Sequence, residues 1–253
     1  MSIISESRKI FSFHKTFYRH YAFFKKKKLD KESHYVYLRA TKADHEPILE
    51  LMKKAYFSEE PTYSALKIEN PTIPLENASR SLQEGLTFVA KCKYDGCIVG
   101  TSINSTWCPA DLDFKERMAC STDDRKIRSL LLFYAHLGRA VDLFHCYGVQ
   151  KVFEVEYLFV SPEHRFRGIA SKLMELSKLF AKDCGHKIVK VDATSAFTAK
   201  ICERLKMKKI YEIPYCAYLG QDMKPVFITL PPHSQCGVYI DDNTEICQKL
   251  KLK

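Results

Sequence analysis

The sequence predicts a mixed α/β domain organised around one sheet. Three features support this: alternating strand-like and helix-like stretches in the carboxyl-terminal half, a hairpin marked by Tyr94-Asp95-Gly96, and a strand-turn-helix unit from Val152 to about Gly185. The chain has 253 residues and 46% hydrophobic content, which can bury a full core and fits one domain with extensions better than two small domains. The boundaries fall at residues 1–33 for a basic, aromatic amino-terminal extension and 34–253 for the domain.

The extension holds nine Lys/Arg against three Asp/Glu, so +6 of the formal +10 lies there and +4 is spread over the other 220 residues. Phe11, Phe13, Phe17, Tyr18, Tyr21, Phe23 and Phe24 are interleaved with cations that end in Lys25 to Lys28. A solvated tail, a mitochondrial targeting segment and an interaction arm all fit that pattern. The weak charge of the remainder argues against nucleic acid as the domain's partner. No long apolar run marks a secretory signal or a membrane span. Ten cysteines without C-x-x-C or a regular framework fit a reduced, cytoplasmic protein, and no Cys/His group has metal-site spacing, so no metal is expected.

Tyr35 to Arg39 alternates like a strand. Asp44 then stands where it can cap a helix whose Ile48, Met52, Ala55 and Tyr56 recur at helical spacing. Proline disfavours helix in the preceding residue, so Ser58-Glu59-Glu60-Pro61 stops that helix and places Glu60 in a loop. After Pro71 and Pro74, Leu86 to Lys93 and Cys97 to Ser105 flank the Asp-Gly turn as antiparallel strands. A polar loop is expected from Pro109 to Asp124, followed by one long helix from Ile127 to Tyr147 that Gly148 ends. Val152 to Val160 reads as a central strand. Ile169, Leu173, Leu176 and Phe180 form the inner face of a helix, Ile188 to Ala193 a strand, Thr198 to Leu205 a short helix, and Lys209 to Ile213 a further strand.

Between the central strand and its helix lies Arg165-Phe166-Arg167-Gly168-Ile169-Ala170. The small residues Gly168 and Ala170 let backbone approach a bulky anion. A helix start offers unpaired N–H groups and about half a positive charge, which suits a pyrophosphate, and Arg165 and Arg167 can add charge at its rim. On the residues alone, a tight turn with solvated arginines is the commoner reading of such a segment.

This segment resembles the Arg/Gln-x-x-Gly-x-Gly/Ala signature of the GCN5-related N-acetyltransferases, in the strand-to-helix setting that family uses. Ser58-Glu59-Glu60-Pro61, Val191-Asp192-Ala193-Thr194, Tyr211-Glu212-Ile213-Pro214-Tyr215 and Pro231-Pro232-His233 extend the resemblance toward the insect-type arylalkylamine N-acetyltransferases. The resemblance implies a twisted, mostly antiparallel sheet splayed at two parallel strands, with helices on both faces. It implies acetyl-CoA as co-substrate in that opening, its pantetheine against Leu158, Phe159 and Val160 and its pyrophosphate on the amides from Arg165 through Phe166, Arg167, Gly168, Ile169 and Ala170 to Ser171. The acceptor is then the primary amine of an arylalkylamine, attacked directly in a ternary complex.

The resemblance also implies that Glu60 is the base that deprotonates the incoming ammonium, and that Thr194 and Thr198 stand where relatives often carry serines near the departing sulfur. Capping of the short helix is the competing role for either threonine. Tyr211 and Tyr215 are candidate walls of the acceptor pocket, and the role of His233 is open. Leu205-Lys206-Met207 departs from the family's common Leu-Gly-Phe, which changes the helix exit. A polyamine or protein lysine is the alternative acceptor, favoured by an acidic groove. A non-catalytic module binding CoA or nucleic acid is the alternative of another class.

Overall fold

In the computed structural model, which describes residues 34–243, seven strands form one sheet in the order β1-β2-β3-β4-β5-β7-β6. β1 (Tyr35–Arg39), β2 (Phe88–Cys92), β3 (Ile98–Trp107) and β4 (Val152–Val160) are joined antiparallel. β5 (Ile188–Ala193) pairs with β4 in parallel, and β7 (Gln235–Asp242) lies antiparallel between β5 and β6 (Lys208–Pro214). This is the mixed sheet the sequence predicts, mostly antiparallel with one parallel pair as the family resemblance implies. The extension placed at residues 1–33 lies outside the described residues.

Helices α1 (His45–Ala55), α2 (Pro61–Leu66), α3 (Thr72–Gln83), α4 (Pro109–Ser121), α5 (Arg125–Val141), α6 (Leu143–Tyr147), α7 (Ile169–Asp183) and α8 (Ala196–Arg204) surround the sheet. Alternation along β2 sorts its two faces: Phe88, Ala90 and Cys92 join Leu173, Met174 and Phe180 of α7, whereas Val89 joins Ile48, Met52, Leu82, Phe133 and Leu137 from α1, α3 and α5. Helices therefore cover both faces. None of the described helices is long and apolar enough to cross a membrane.

Several local expectations change. Asp44 does not cap α1 through its side chain; its carboxylate accepts from the backbone and hydroxyl of Thr41 and from Lys91, each within 2.8 Å, closing the 3₁₀ turn before the helix. Pro61 does more than end α1, because it occupies the first turn of α2, where its missing N–H costs nothing. The segment after Pro71 is helix α3, and the expected loop from Pro109 to Asp124 is mostly helix α4, which starts on a proline in the same way. The long helix expected from Ile127 to Tyr147 breaks at Asp142, a left-handed residue with φ 34°, so α5 and α6 are separate; Gly148 then ends α6 at φ 58°.

Two features on the far side of the sheet bear on the site. β7 was not foreseen, because Gly237 and the flanking Gln235, Asp241 and Asp242 interrupt its apolar run, yet Cys236, Val238, Tyr239 and Ile240 are all buried. At the exit of α8, Lys206 takes the left-handed conformation at φ 57° that favours glycine, and Met207 packs in the core against the α7 face. The departure at Leu205-Lys206-Met207 thus concerns helix termination and lies away from any cavity.

Candidate active site

The pairing of β4 with β5 covers only Phe153↔Val189, Glu154↔Lys190 and Val155↔Val191. Past Val155 the parallel strands separate, and a cavity of ≈ 660 Å³ fills the opening. β4 contributes Leu158, Phe159 and Val160 to its wall, the segment before α7 contributes Arg165, Phe166 and Gly168, and the first turn of α7 contributes Ile169, Ala170 and Ser171. No side chain caps α7, so the amides of its first turn are left for a ligand. Gly168 holds φ 76°, and a Cβ there would meet nothing within 4 Å, so the position requires its conformation and leaves an open approach to backbone. Phe166 is likewise left-handed at φ 60° with its ring in solvent, so it presents backbone to the cavity.

The two signature arginines do not act alike. Arg165 lines the cavity, donating from Nε to the Val160 carbonyl at 3.0 Å and pairing with Glu59. Arg167 donates to Tyr35 Oη at 2.9 Å and the Glu163 carbonyl at 3.2 Å and is not among the residues lining the cavity. Its expected charge is supplied from α8, where Lys200 and Arg204 line the same cavity and Arg204 Nη1 approaches Ser171 Oγ at 3.4 Å. Sequence reading passed over both; their four-residue spacing on a helix following the strand Val191-Asp192-Ala193 was the available signal.

Glu60 is buried at the amino end of α2. Its Oε2 accepts from the Thr62 and Tyr63 amides at 2.8 and 2.9 Å and from the Thr62 hydroxyl at 2.5 Å, while Oε1 is buried with no hydrogen-bond partner. Burial raises the carboxyl's pKa, and the Thr194 and Thr62 hydroxyls with the Tyr63 and Thr62 amides partly oppose that rise. A carboxylate held on one oxygen and bare on the other, with elevated basicity, can take up a proton at the bare oxygen.

Thr194 is buried beside it, its carbonyl accepting from Tyr215 Oη at 2.6 Å. Neither Thr194 nor Thr198 caps α8. Ser195 does so, donor to no amide but acceptor of the Thr198 N–H at 3.0 Å, and the Thr198 hydroxyl is paired with Ser195 Oγ at 2.9 Å. His233 Nδ1 accepts the next free amide, that of Ala196, at 3.2 Å. Thr194, Ser195, Thr198 and His233 all line the cavity. Tyr211 and Tyr215 line neither this cavity nor the next one: Tyr215 is core beneath Thr194, and the Tyr211 hydroxyl is paired with His136 Nε2 at 3.1 Å.

A second cavity, of ≈ 260 Å³, shares Tyr56, Val155, Glu156, Asp192 and Thr194 with the first. Aromatic rings of Tyr56, Tyr63, Trp107, Phe114, Tyr134 and Tyr157 enclose it, together with the carboxylates Glu84, Asp111, Glu154, Glu156 and Asp192. Glu156, two residues from Glu154, shares its face by strand alternation, and a β-bulge there, where the register passes from Ile103↔Tyr157 to Asn104↔Val155 and leaves Glu156 unopposed, brings Tyr157 onto the same wall. The bulge also explains why strand alternation in β4 loses phase at that point. Glu156 Oε2 accepts from Ser81 Oγ at 2.5 Å, and burial together with Glu154 pushes its pKa upward.

A splayed parallel pair, a free helix start on one side of the opening and a partly bonded carboxylate on the other define an acyl-transfer site. Residues 45–201 match the model of the acetyltransferase (GNAT) family, and the chain belongs to that family as an acetyl-CoA-dependent N-acetyltransferase. Its fold is similar to that of the crystal structure of arylalkylamine N-acetyltransferase 2 from Aedes aegypti, at 23% identity and a TM-score of 0.78 over 83% of this chain and 99% of that one. It is similar also to the Drosophila melanogaster polyamine N-acetyltransferase that catalyses formation of N-acetylagmatine, at 23% identity and a TM-score of 0.74 over 82% and 99% of the respective chains.

Proposed function

We propose that this enzyme moves the acetyl group of acetyl-CoA onto the primary amine of an arylalkylamine-like small molecule, in a ternary complex. The observation that carries the proposal is that the donor cleft and an aromatic-walled chamber meet at Thr194 beside the unpartnered Oε1 of Glu60. An alkylamine with a pKa of about 10.4 arrives as ammonium, and only its neutral form attacks. Glu60 Oε1 takes the proton, directly or through a water, and the amine nitrogen bonds to the thioester carbon. The C–S bond then breaks, the amide nitrogen gives up its second proton, and a threonine hydroxyl at position 194 or 198 relays a proton to the thiolate and is itself reprotonated by the one the nitrogen releases, so that CoA leaves as the thiol. The free edge of β4 offers a backbone N–H to the carbonyl oxygen while it carries negative charge.

A second reading takes a polyamine as acceptor, and five carboxylates on the chamber wall favour it. Release of CoA thiol, measured over a panel of tryptamine, dopamine, spermidine, agmatine and a lysine peptide, separates the two. Highest kcat/KM with the arylalkylamines is expected; a polyamine or peptide as best substrate overturns the acceptor assignment, and no release with any amine overturns the enzyme's proposed substrate class.

The donor side makes its own prediction. Arg165→Ala combined with Arg204→Ala raises KM for acetyl-CoA about tenfold with kcat little changed, the scale of partly exposed charge-assisted hydrogen bonds. Arg167→Ala, whose side chain points at Tyr35, changes KM less than twofold. The reverse ranking in steady-state kinetics places the pyrophosphate elsewhere.

A further inference from the structure

The acidic wall of the smaller cavity contains its own counter-ions. Lys190 is 1% exposed and lies between Glu154 Oε1 at 2.5 Å and Asp192 Oδ2 at 2.7 Å, with its ammonium 4.7 Å from the Trp107 ring centre. It belongs to the sheet and is enclosed. Lys115 differs. It reaches in from α4, a helix whose only buried residues are Leu112 and Ala119, and its Nζ stands 3.7 Å from Glu154 Oε2, an ion-pair separation without a hydrogen bond.

Glu154 Oε2 and Asp192 Oδ1 are therefore two buried carboxylate oxygens with no hydrogen-bond partner, both on residues of the chamber wall. Of the five wall carboxylates, Glu84 and Asp111 accept from the Thr106 and Cys108 amides and Glu156 from Ser81 Oγ, and Arg80 adds a cation to the same wall; Glu154 and Asp192 are the pair that Lys190 and Lys115 match in charge. Without Lys115, that pair keeps one negative charge uncompensated. We propose that Lys115 is the specificity-determining residue of the acceptor chamber: its ammonium holds the place that the second cation of a dicationic acceptor requires, so the chamber takes amines whose far end is uncharged. Lys115 thus repels one class of acceptor while leaving the aromatic walls to bind the other. This inference rests on the acetyl-transfer reading above and decides between its two acceptor classes.

The test measures kcat/KM by CoA thiol release with the full chain, using tryptamine and pentylamine as monocations and agmatine as the dication. Wild type is expected to prefer both monocations over agmatine. Lys115→Met and Lys115→Gln are expected to move the agmatine-to-tryptamine ratio toward agmatine by about tenfold, and Lys115→Arg to hold the wild-type ratio. Three results overturn the proposal: wild type preferring agmatine to pentylamine, a ratio in either neutral variant within twofold of wild type, or an equal shift in Lys115→Arg. The wild-type comparison stands even where a variant fails to fold. Absence of thiol release from wild type with every amine sinks the acetyl-transfer reading itself, whereas turnover with an unmoved ratio sinks only the role of Lys115.

Discussion

Glu60→Gln is expected to lower kcat/KM for a primary amine by about 10²- to 10³-fold near neutral pH, the range of a positioned general base, with acetyl-CoA affinity held within twofold. Burial raises the Glu60 pKa against the opposing Thr194, Thr62 and Tyr63 contacts. The acid limb of the wild-type pH profile therefore lies above the ordinary carboxylate range, and activity falls as pH drops through the raised value. With glutamine no base remains, so the rate follows the fraction of free amine and climbs about tenfold per pH unit toward an amine pKa of about 10.4. The deficit is consequently largest at low pH and narrows in alkali. A deficit constant from pH 6 to 9 would assign Glu60 only its other duty, capping α2. Loss of that cap alone costs about 1 kcal/mol, and thermal denaturation measures it separately.

Lys190→Met is expected to cost about 3–5 kcal/mol of stability at pH 7, because it leaves Glu154 and Asp192 buried without their shared cation. The sign of the pH dependence identifies the cause. In wild type, burial pushes Glu154 up, but Lys115 and Lys190 outweigh it and hold its pKa well below normal. Its contribution to stability is thus present above the unfolded value of about 4.5 and is lost as pH falls through the depressed one. Removing Lys190 reverses that relation: burial then dominates, the folded pKa rises above the unfolded one, and the penalty at neutral pH is relieved by protonation. Urea denaturation should show the gap between wild type and Lys190→Met closing from pH 7 to pH 5, with Glu154→Gln restoring part of the loss. A gap independent of pH would trace the damage to packing against Trp107 instead.

Most of the fold and the strand-turn-helix frame of the candidate donor site were legible in the sequence because they depend on local features. The run Val152 to Val160, the glycine at 168 and the helical spacing of Ile169, Leu173 and Phe180 are short-range patterns, and the structure reproduces them as β4, the left-handed residue before α7, and α7. The misses share a physical origin in tertiary contacts. Prolines at 61, 74 and 109 read as interruptions, yet each sits within the first turn of a helix or near it, where the ring is tolerated. Strand alternation puts Glu156 on the face of Glu154, but it would send Tyr157 to the other one; a bulge set by pairing with β3 brings Tyr157 back to the cavity wall. Glu60 looked like a surface glutamate after a helix; only the packing of α2 against α5, with Thr194 beside its carboxylate, encloses it. Arg204 reached the donor cleft because α8 crosses the start of α7, a juxtaposition no single segment encodes.

The position of β7 has a consequence for how the molecule is made. This strand, near residue 240, completes hydrogen bonding on one side of β5 and one side of β6, which precede it in the chain by some tens of residues. During synthesis, the first four strands can assemble while the wall of the cleft that bears Asp192 and Thr194 still has a bare edge. That edge waits for a segment not yet emerged from the ribosome, and such late, long-range pairing is slow. Until residues 235–242 arrive, β5 and β6 are open templates for the wrong strand. The cleft accordingly becomes competent only after residue 242 has emerged, later than the four strands that can assemble before it.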